Sequence, residues 1–170
     1  MTPRPGAYIA IDPGQRGAAA RIVVGAAGTV TDCEIAHAQD FHGRVLRVQA
    51  ALDVLEVLGA RDADGAALEA LGLRPGEGVR ATATAAASHA AWVAALDLAR
   101  GPGRWRLVQP QAWGARAGLP AGLPRPLRKA VAIAEARRLV GDGPLSRGRA
   151  GPSDGAADAV LMALALARGF

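Results

Sequence analysis

Four carboxylates stand where their surroundings give them little reason to be: Asp12, Glu69, Asp154 and Asp158. Asp12 closes Ala7-Tyr8-Ile9-Ala10-Ile11, an apolar run with the length and β-branched content of a buried strand. By itself it is also the ordinary polar end of a hairpin strand. Glu69 lies inside a second apolar run, Ala66-Ala67-Leu68-Glu69-Ala70-Leu71. Burying a lone carboxylate is costly enough to force its protonation, so Glu69 either has a cation for company or points out at the strand's end. Asp154 and Asp158, four residues apart, share one face of a helix whose remainder, Ala156-Ala157 and Ala159 to Ala167, is almost wholly apolar. Asp154 suits a helix N-terminus, where the macrodipole favours acids. Asp158, a turn further in, has no such reason, and the like charges repel unless something positive lies beside them.

Hard oxygen ligands select Mg²⁺ or Mn²⁺ over zinc. The single cysteine, Cys33, and the scattered histidines His37, His42 and His89 leave no multi-cysteine or clustered-histidine zinc site. Carboxylates that hold two such ions about 4 Å apart serve in-line displacement at phosphate. The expected cofactors are therefore two Mg²⁺ (or Mn²⁺) ions per active site, with no organic cofactor. If the Asp12 and Glu69 strands are neighbours, the two acids lie side by side, and the last helix can bring Asp154 and Asp158 over them.

Charge points to the same substrate class. The chain carries a net +5, a balance that suggests a polyanionic partner. Residues 1–99 hold 8 Arg against 11 acids, a balance of −3, while residues 100–170 hold 11 Arg and one Lys against 4 acids, a balance of +8. A basic protein with a paired-metal carboxylate site should cut nucleic acid. Lys129 is the one lysine among 20 basic residues. A position that keeps an ammonium against so strong an arginine bias is either chance or a need for compact charge.

The elements that must position these groups follow from periodicity. Residues 1–6 read as a loose tail, and the 170 residues as a single domain. Pro13, Gly14 and Gly17 turn the chain between the Ala7–Ile11 strand and a second, Ala18 to Val24. Thr29 to Ala36 alternates as a half-buried third strand. Gly43 to Leu58 shows helical spacing and ends at Gly59. The Ala66–Leu71 run is a fourth strand, Gly72 to Arg80 a glycine-rich loop, and Thr82 to Ala99 an alanine-dominated helix. Trp105 to Val108 is a short fifth strand; Gln109 to Trp113 starts a turn, and Leu119 to Pro126, with three prolines, is a linker. Leu127 to Val140 is a basic helix with Val131, Ile133, Ala134 and Leu139 inward and Arg128 and Lys129 mostly outward. Gly141 to Pro152 is a Gly/Arg-rich loop, and Ser153 caps the last helix, Asp154 to Arg168. This order predicts an α/β fold with a mixed sheet. No apolar run reaches the ~18 residues of a membrane span, and no leader opens the chain, which predicts a soluble, cytoplasmic protein.

In order along the chain, IAIDPGxxG, a Glu in an apolar strand, GEGVRATATAAASHAA, VQPQAW, a Lys-led helix and SDGAADAVLMALAL resemble the RuvC-like Holliday junction resolvases. The phage and prophage branch, whose last motif reads HDGRADA before apolar residues, is the most similar. The resemblance spans Ala7 to Ala167. It implies an RNase H-like fold with a five-stranded sheet, three antiparallel strands and then parallel ones, flanked by helices. It also implies a homodimer, found in bacterial or phage-infected cells, that cleaves four-way DNA with divalent metal. On the matching positions Asp12, Glu69, Asp154 and Asp158 are the metal-binding acids, and Lys129 is a basic group near the scissile phosphate. Candidate DNA contacts are Arg16 in the first turn, Leu73, Arg74 and Arg80 in the loop after Glu69, Arg128 on the basic helix, and Arg147 and Arg149 near the end.

The sequence departs from the family in three places. Ser153 replaces the His before the first Asp of the last motif, Gly114 stands where Lys is common, and the loop after Glu69 has no aromatic. His89 reads as structural, Trp92 and Trp105 as core, and Trp113 stays open. Other readings are a flap or RNA–DNA hybrid nuclease on the same fold, and a junction-binding protein without turnover. A sugar-kinase-like fold also opens with an Asp-Gly turn but needs a duplicated domain that 170 residues do not hold.

Overall fold

A computed structural model describes residues 2–14, 17–41, 46–72, 78–147 and 151–169. The strands are β1 (Gly6–Asp12), β2 (Ala18–Val24), β3 (Val30–His37), β4 (Gly65–Glu69) and β5 (Arg106–Val108). The helices are α1 (Ala38–Phe41), α2 (Val48–Val57), α3 (Val79–Arg100), α4 (Pro110–Ala117), α5 (Arg125–Val140), α6 (Asp142–Leu145) and α7 (Asp154–Ala167), with a 3-10 turn at Ala60–Asp62. The strands form one sheet in the order β3-β2-β1-β4-β5. The first three pair antiparallel; β4 runs parallel to β1, and β5 parallel to β4. This is the expected mixed sheet.

Alternation along β1 divides the core. Ile9 and Ile11 face α2 and α3 and pack with Leu55, Leu68, Trp92 and Leu96. Tyr8 and Ala10 face the other way, onto α7 and the inner sides of α4 and α5. Helix α7 explains its own composition: every residue except Asp154 and Asp158 is buried. It lies across β1, β2 and β4 with α4 and α5 on its flanks. A helix apolar nearly all round belongs inside the protein, and alanines and glycine let the sheet come close.

The structure corrects several expectations. Glu69 ends β4 rather than lying within it. Residues 110–117 form α4 instead of a turn: Pro110 occupies the first turn, where its missing N–H costs nothing, Trp113 and Ala117 bury one face, and Gly118 at φ 89° closes the helix. Helix α5 starts at Arg125, with Pro126 in its first turn for the same reason, so the linker is shorter than expected. Its buried positions are Ala132 and Ala136, whereas Ala134 is exposed. The expected 141–152 loop contains α6 and a bridge between Ser146 and Pro152. Helix α3 extends beyond the expected Thr82–Ala99 at both ends.

Candidate active site

The parallel pairing of β1 with β4 brings the first acids together. Ile11 is opposite Leu68, so Asp12 and Glu69 are the next residues at the same sheet edge. Beyond Asp12 the chain turns at once. The Gly14 N–H donates to Asp12 Oδ1 (3.0 Å), and the Gly17 N–H to the Gly14 carbonyl (2.9 Å). A Cβ on Gly17 would collide with the Asp12 carbonyl, which is why this turn needs a glycine there.

Helix α7 points its N-terminus at the same edge. The Ser153 hydroxyl accepts from the Ala156 N–H (3.0 Å), the expected cap. Asp154 and Asp158 then join Asp12 and Glu69 in lining an open cleft of about 560 Å³, together with Arg125, Arg128 and Lys129. Arg125 was missing from the sequence expectations because the proline-rich stretch around it read as a linker. All four acids are half-buried.

Their electrostatics are unequal. Burial, reinforced by Glu69 and Asp154, pushes Asp12 up to about 7 against the pull of the Gly14 N–H and Lys129. Burial also pushes Asp158 up to about 7, with Asp12, Glu69 and Asp154 adding repulsion and Arg128 opposing it. Burial raises Asp154 as well, but the Lys129 ammonium and the backbone N–H groups of Asp154 and Gly155 outweigh it and hold the acid below its ordinary value. Lys129, expected mostly outward, is half-buried and ion-paired to Asp154. Glu69 is held differently: the Trp113 Nε1–H donates to its Oε1 (3.0 Å), and His89 Nε2 bonds its carbonyl oxygen (3.2 Å).

The donor chemistry fits a hard divalent cation: carboxylate oxygens without thiolate or imidazole, two of them destabilised by burial and by neighbouring acids. Among the described residues, no three or more His, Cys, Asp or Glu side chains form a ready-made ligand group. Lys129, a cation of the protein itself, pairs directly with Asp154.

The expected DNA contacts are dispersed. Arg128 lines the cleft. Arg80 is exposed on the first turn of α3 and is not part of the cleft lining. Arg147 pairs with Asp40 (2.5 Å), beside β3. Arg16, Leu73, Arg74, Arg149 and His42 lie outside the described residues. Trp92 is core, and Trp105 is half-buried with its indole N–H on Asp97 (2.7 Å). No helix among the described residues is long and apolar enough to cross a membrane.

No family model and no curated protein matches the sequence. Among solved structures, the chain is similar to T. thermophilus RuvC in complex with a Holliday junction substrate. The TM-score is 0.57 at 17% identity, over 95% of this chain and 92% of that one. The shared feature is the fold, which is RNase H-like: the mixed five-stranded sheet and the helices on its faces.

Proposed function

We propose that this chain is a divalent-metal-dependent endonuclease that hydrolyses phosphodiester bonds in branched DNA, resolving four-way junctions as a homodimer in the cytoplasm. The observation that carries the reading is the cleft in which β1, β4 and α7 converge Asp12, Glu69, Asp154 and Asp158 beside Arg125, Arg128 and Lys129. Support comes from the fold shared with a protein solved on a Holliday junction and from the +8 balance of residues 100–170. The motif SDGAADA supports a likeness to the phage branch within that proposal.

Asp12, Glu69, Asp154 and Asp158 would hold Mg²⁺ or Mn²⁺, which when bound supplies a water activated for attack and charge to stabilise the displaced oxygen. The chain's own groups do the rest. Asp12 and Asp158, both pushed up to about 7 by burial and by neighbouring acids, would be favoured as carboxylates by a bound divalent charge. Arg125 and Arg128 on the first turn of α5 bind the DNA backbone at the cleft mouth. Lys129 must leave Asp154 to reach a phosphate oxygen, which places its ammonium beside the reacting group.

One observation favours a second reading, a junction-binding protein without turnover: Lys129 already pairs with Asp154 where a metal ion would bind. Labelled four-way, flap and RNA–DNA hybrid substrates, incubated with Mg²⁺ or Mn²⁺, separate the two. The nuclease reading expects symmetric cuts in the junction, lost in Asp12→Asn while junction binding persists. Binding without cutting in either metal supports the second reading. A wild-type cutting rate in Asp12→Asn removes the site assignment.

A further inference from the structure

Resting on the reading of this cleft as a metal site, we propose that Trp113 is a positioning residue that fixes the Glu69 carboxylate for metal binding. The geometry is direct: the Trp113 Nε1–H donates to Glu69 Oε1 at 3.0 Å, and the ring is buried at 4% exposure.

Glu69 needs such a partner more than the aspartates do. It ends its strand, and its longer side chain has more rotamer freedom to lose on ordering than an aspartate has. Its backbone is anchored by His89 on the carbonyl, while the Ala70 N–H donates to Val108 O (2.8 Å). Neither bond reaches the carboxylate; the indole does. The indole is a donor only and carries no charge, so it orients an oxygen without cancelling the negative charge a cation needs. Lys129 on Asp154 is the opposite case, where the partner and the incoming cation compete.

The indole is itself fixed. Trp113 lies mid-way along α4, buried with Ala117 in the core that includes α7. At the end of α4, Arg168 Nη1–H donates to the carbonyls of Arg116 (3.0 Å) and Ala117 (2.8 Å). Arg168 is the residue following α7, the helix that bears Asp154 and Asp158. Glu69 is thereby tied, through Trp113 and α4, to the helix carrying the other two acids.

The test is Mn²⁺ binding to the full chain, without DNA, by titration calorimetry in wild type, Trp113→Phe and Trp105→Phe. Trp105 is the control, since its indole also bonds a carboxylate, Asp97 (2.7 Å), away from the cleft lining. Trp113→Phe is expected to weaken Mn²⁺ by about 10–100-fold, the usual effect of removing a hydrogen-bond partner of a metal ligand; Trp105→Phe is expected to leave it unchanged. Equal Mn²⁺ affinity in Trp113→Phe and wild type overturns the proposal, as does an equal loss in both variants, which marks a packing role. If wild type binds no Mn²⁺, the metal reading falls and this inference with it, an outcome distinct from the other two. Should Trp113→Phe fail to fold, the indole N–H resonance of Trp113 in the wild-type protein decides: it must move on Mg²⁺ titration, and an unmoved signal in a protein that binds Mg²⁺ overturns the proposal.

Discussion

Asp158→Asn should make the metal-free protein more stable while ending its cleavage of DNA. Asp158 is the acid whose surroundings oppose its charge most plainly: α7 is buried on all other sides, and Asp12, Glu69 and Asp154 all repel it. Its folded-state value of about 7 exceeds the ordinary 3.8. The folded chain therefore keeps a proton that the unfolded chain has released, and stability falls as pH rises across that window. Below about pH 4 the group is neutral in both states and costs nothing; above about pH 7 the full penalty applies. A difference of roughly three units is worth about 4 kcal/mol. Part of that belongs jointly to Asp12, which is raised in turn, so the two penalties are not additive. An asparagine amide left short of partners returns about 1–3 kcal/mol of the gain. The net expectation is a stabilisation of about 1–3 kcal/mol at pH 8, shrinking towards zero or below at pH 5.

Urea unfolding followed by circular dichroism, in EDTA at pH 5 and pH 8, measures this. Asp154 does not confuse the comparison, because Lys129 holds it below its ordinary value and it stays ionised across the range. Added Mg²⁺ should stabilise wild type at pH 8 and the variant much less, reversing their order. A variant no more stable than wild type at pH 8, or a difference that does not change with pH, refutes the reasoning.

Lys129→Ala should slow junction cleavage by ~10²–10³ with little change in junction affinity, the cost of losing one group that stabilises transition-state charge. A loss confined to affinity, with a shallower salt dependence, would mark Lys129 as an ordinary phosphate contact. Gly17→Ala should destabilise the protein by about 3 kcal/mol or more in urea unfolding, because its Cβ meets the Asp12 carbonyl; a change within about 0.5 kcal/mol would mean that the turn adapts. Leu73 and Arg74, outside the described residues, are the sizeable side chains of the glycine-rich sequence that follows Glu69. Changing both to Ala should slow four-way junction cleavage more than flap cleavage, and equal losses would show that these residues do not read the junction.

What the sequence disclosed and what it concealed divide along a physical line. Asp158 was legible because Ala, Val, Leu and Met surround it: an ionisable group in such a helix costs free energy, and misfit is visible in a string of letters. Asp12 and the β1–β2 hairpin were legible through period-2 patterning and the Pro-Gly turn, and β2 falls on the expected residues. The adjacency of β1 and β4, on which the site depends, was only a condition in the reading, since no local pattern states which parallel strands pair. Helix α4 stayed hidden because its starting signal is a proline and its length only 8 residues, both also the marks of a turn. Lys129 was singled out by type, but its ion pair with Asp154 was not legible, because where a side chain on α5 reaches depends on how that helix seats against α7. The Trp113–Glu69 bond left no trace at all. A neutral donor in an apolar helix face fits its surroundings whether or not it serves a neighbour's carboxylate, so composition registers no conflict. Charges that oppose their setting can be found from sequence, whereas uncharged groups that orient them emerge only when the chain is folded.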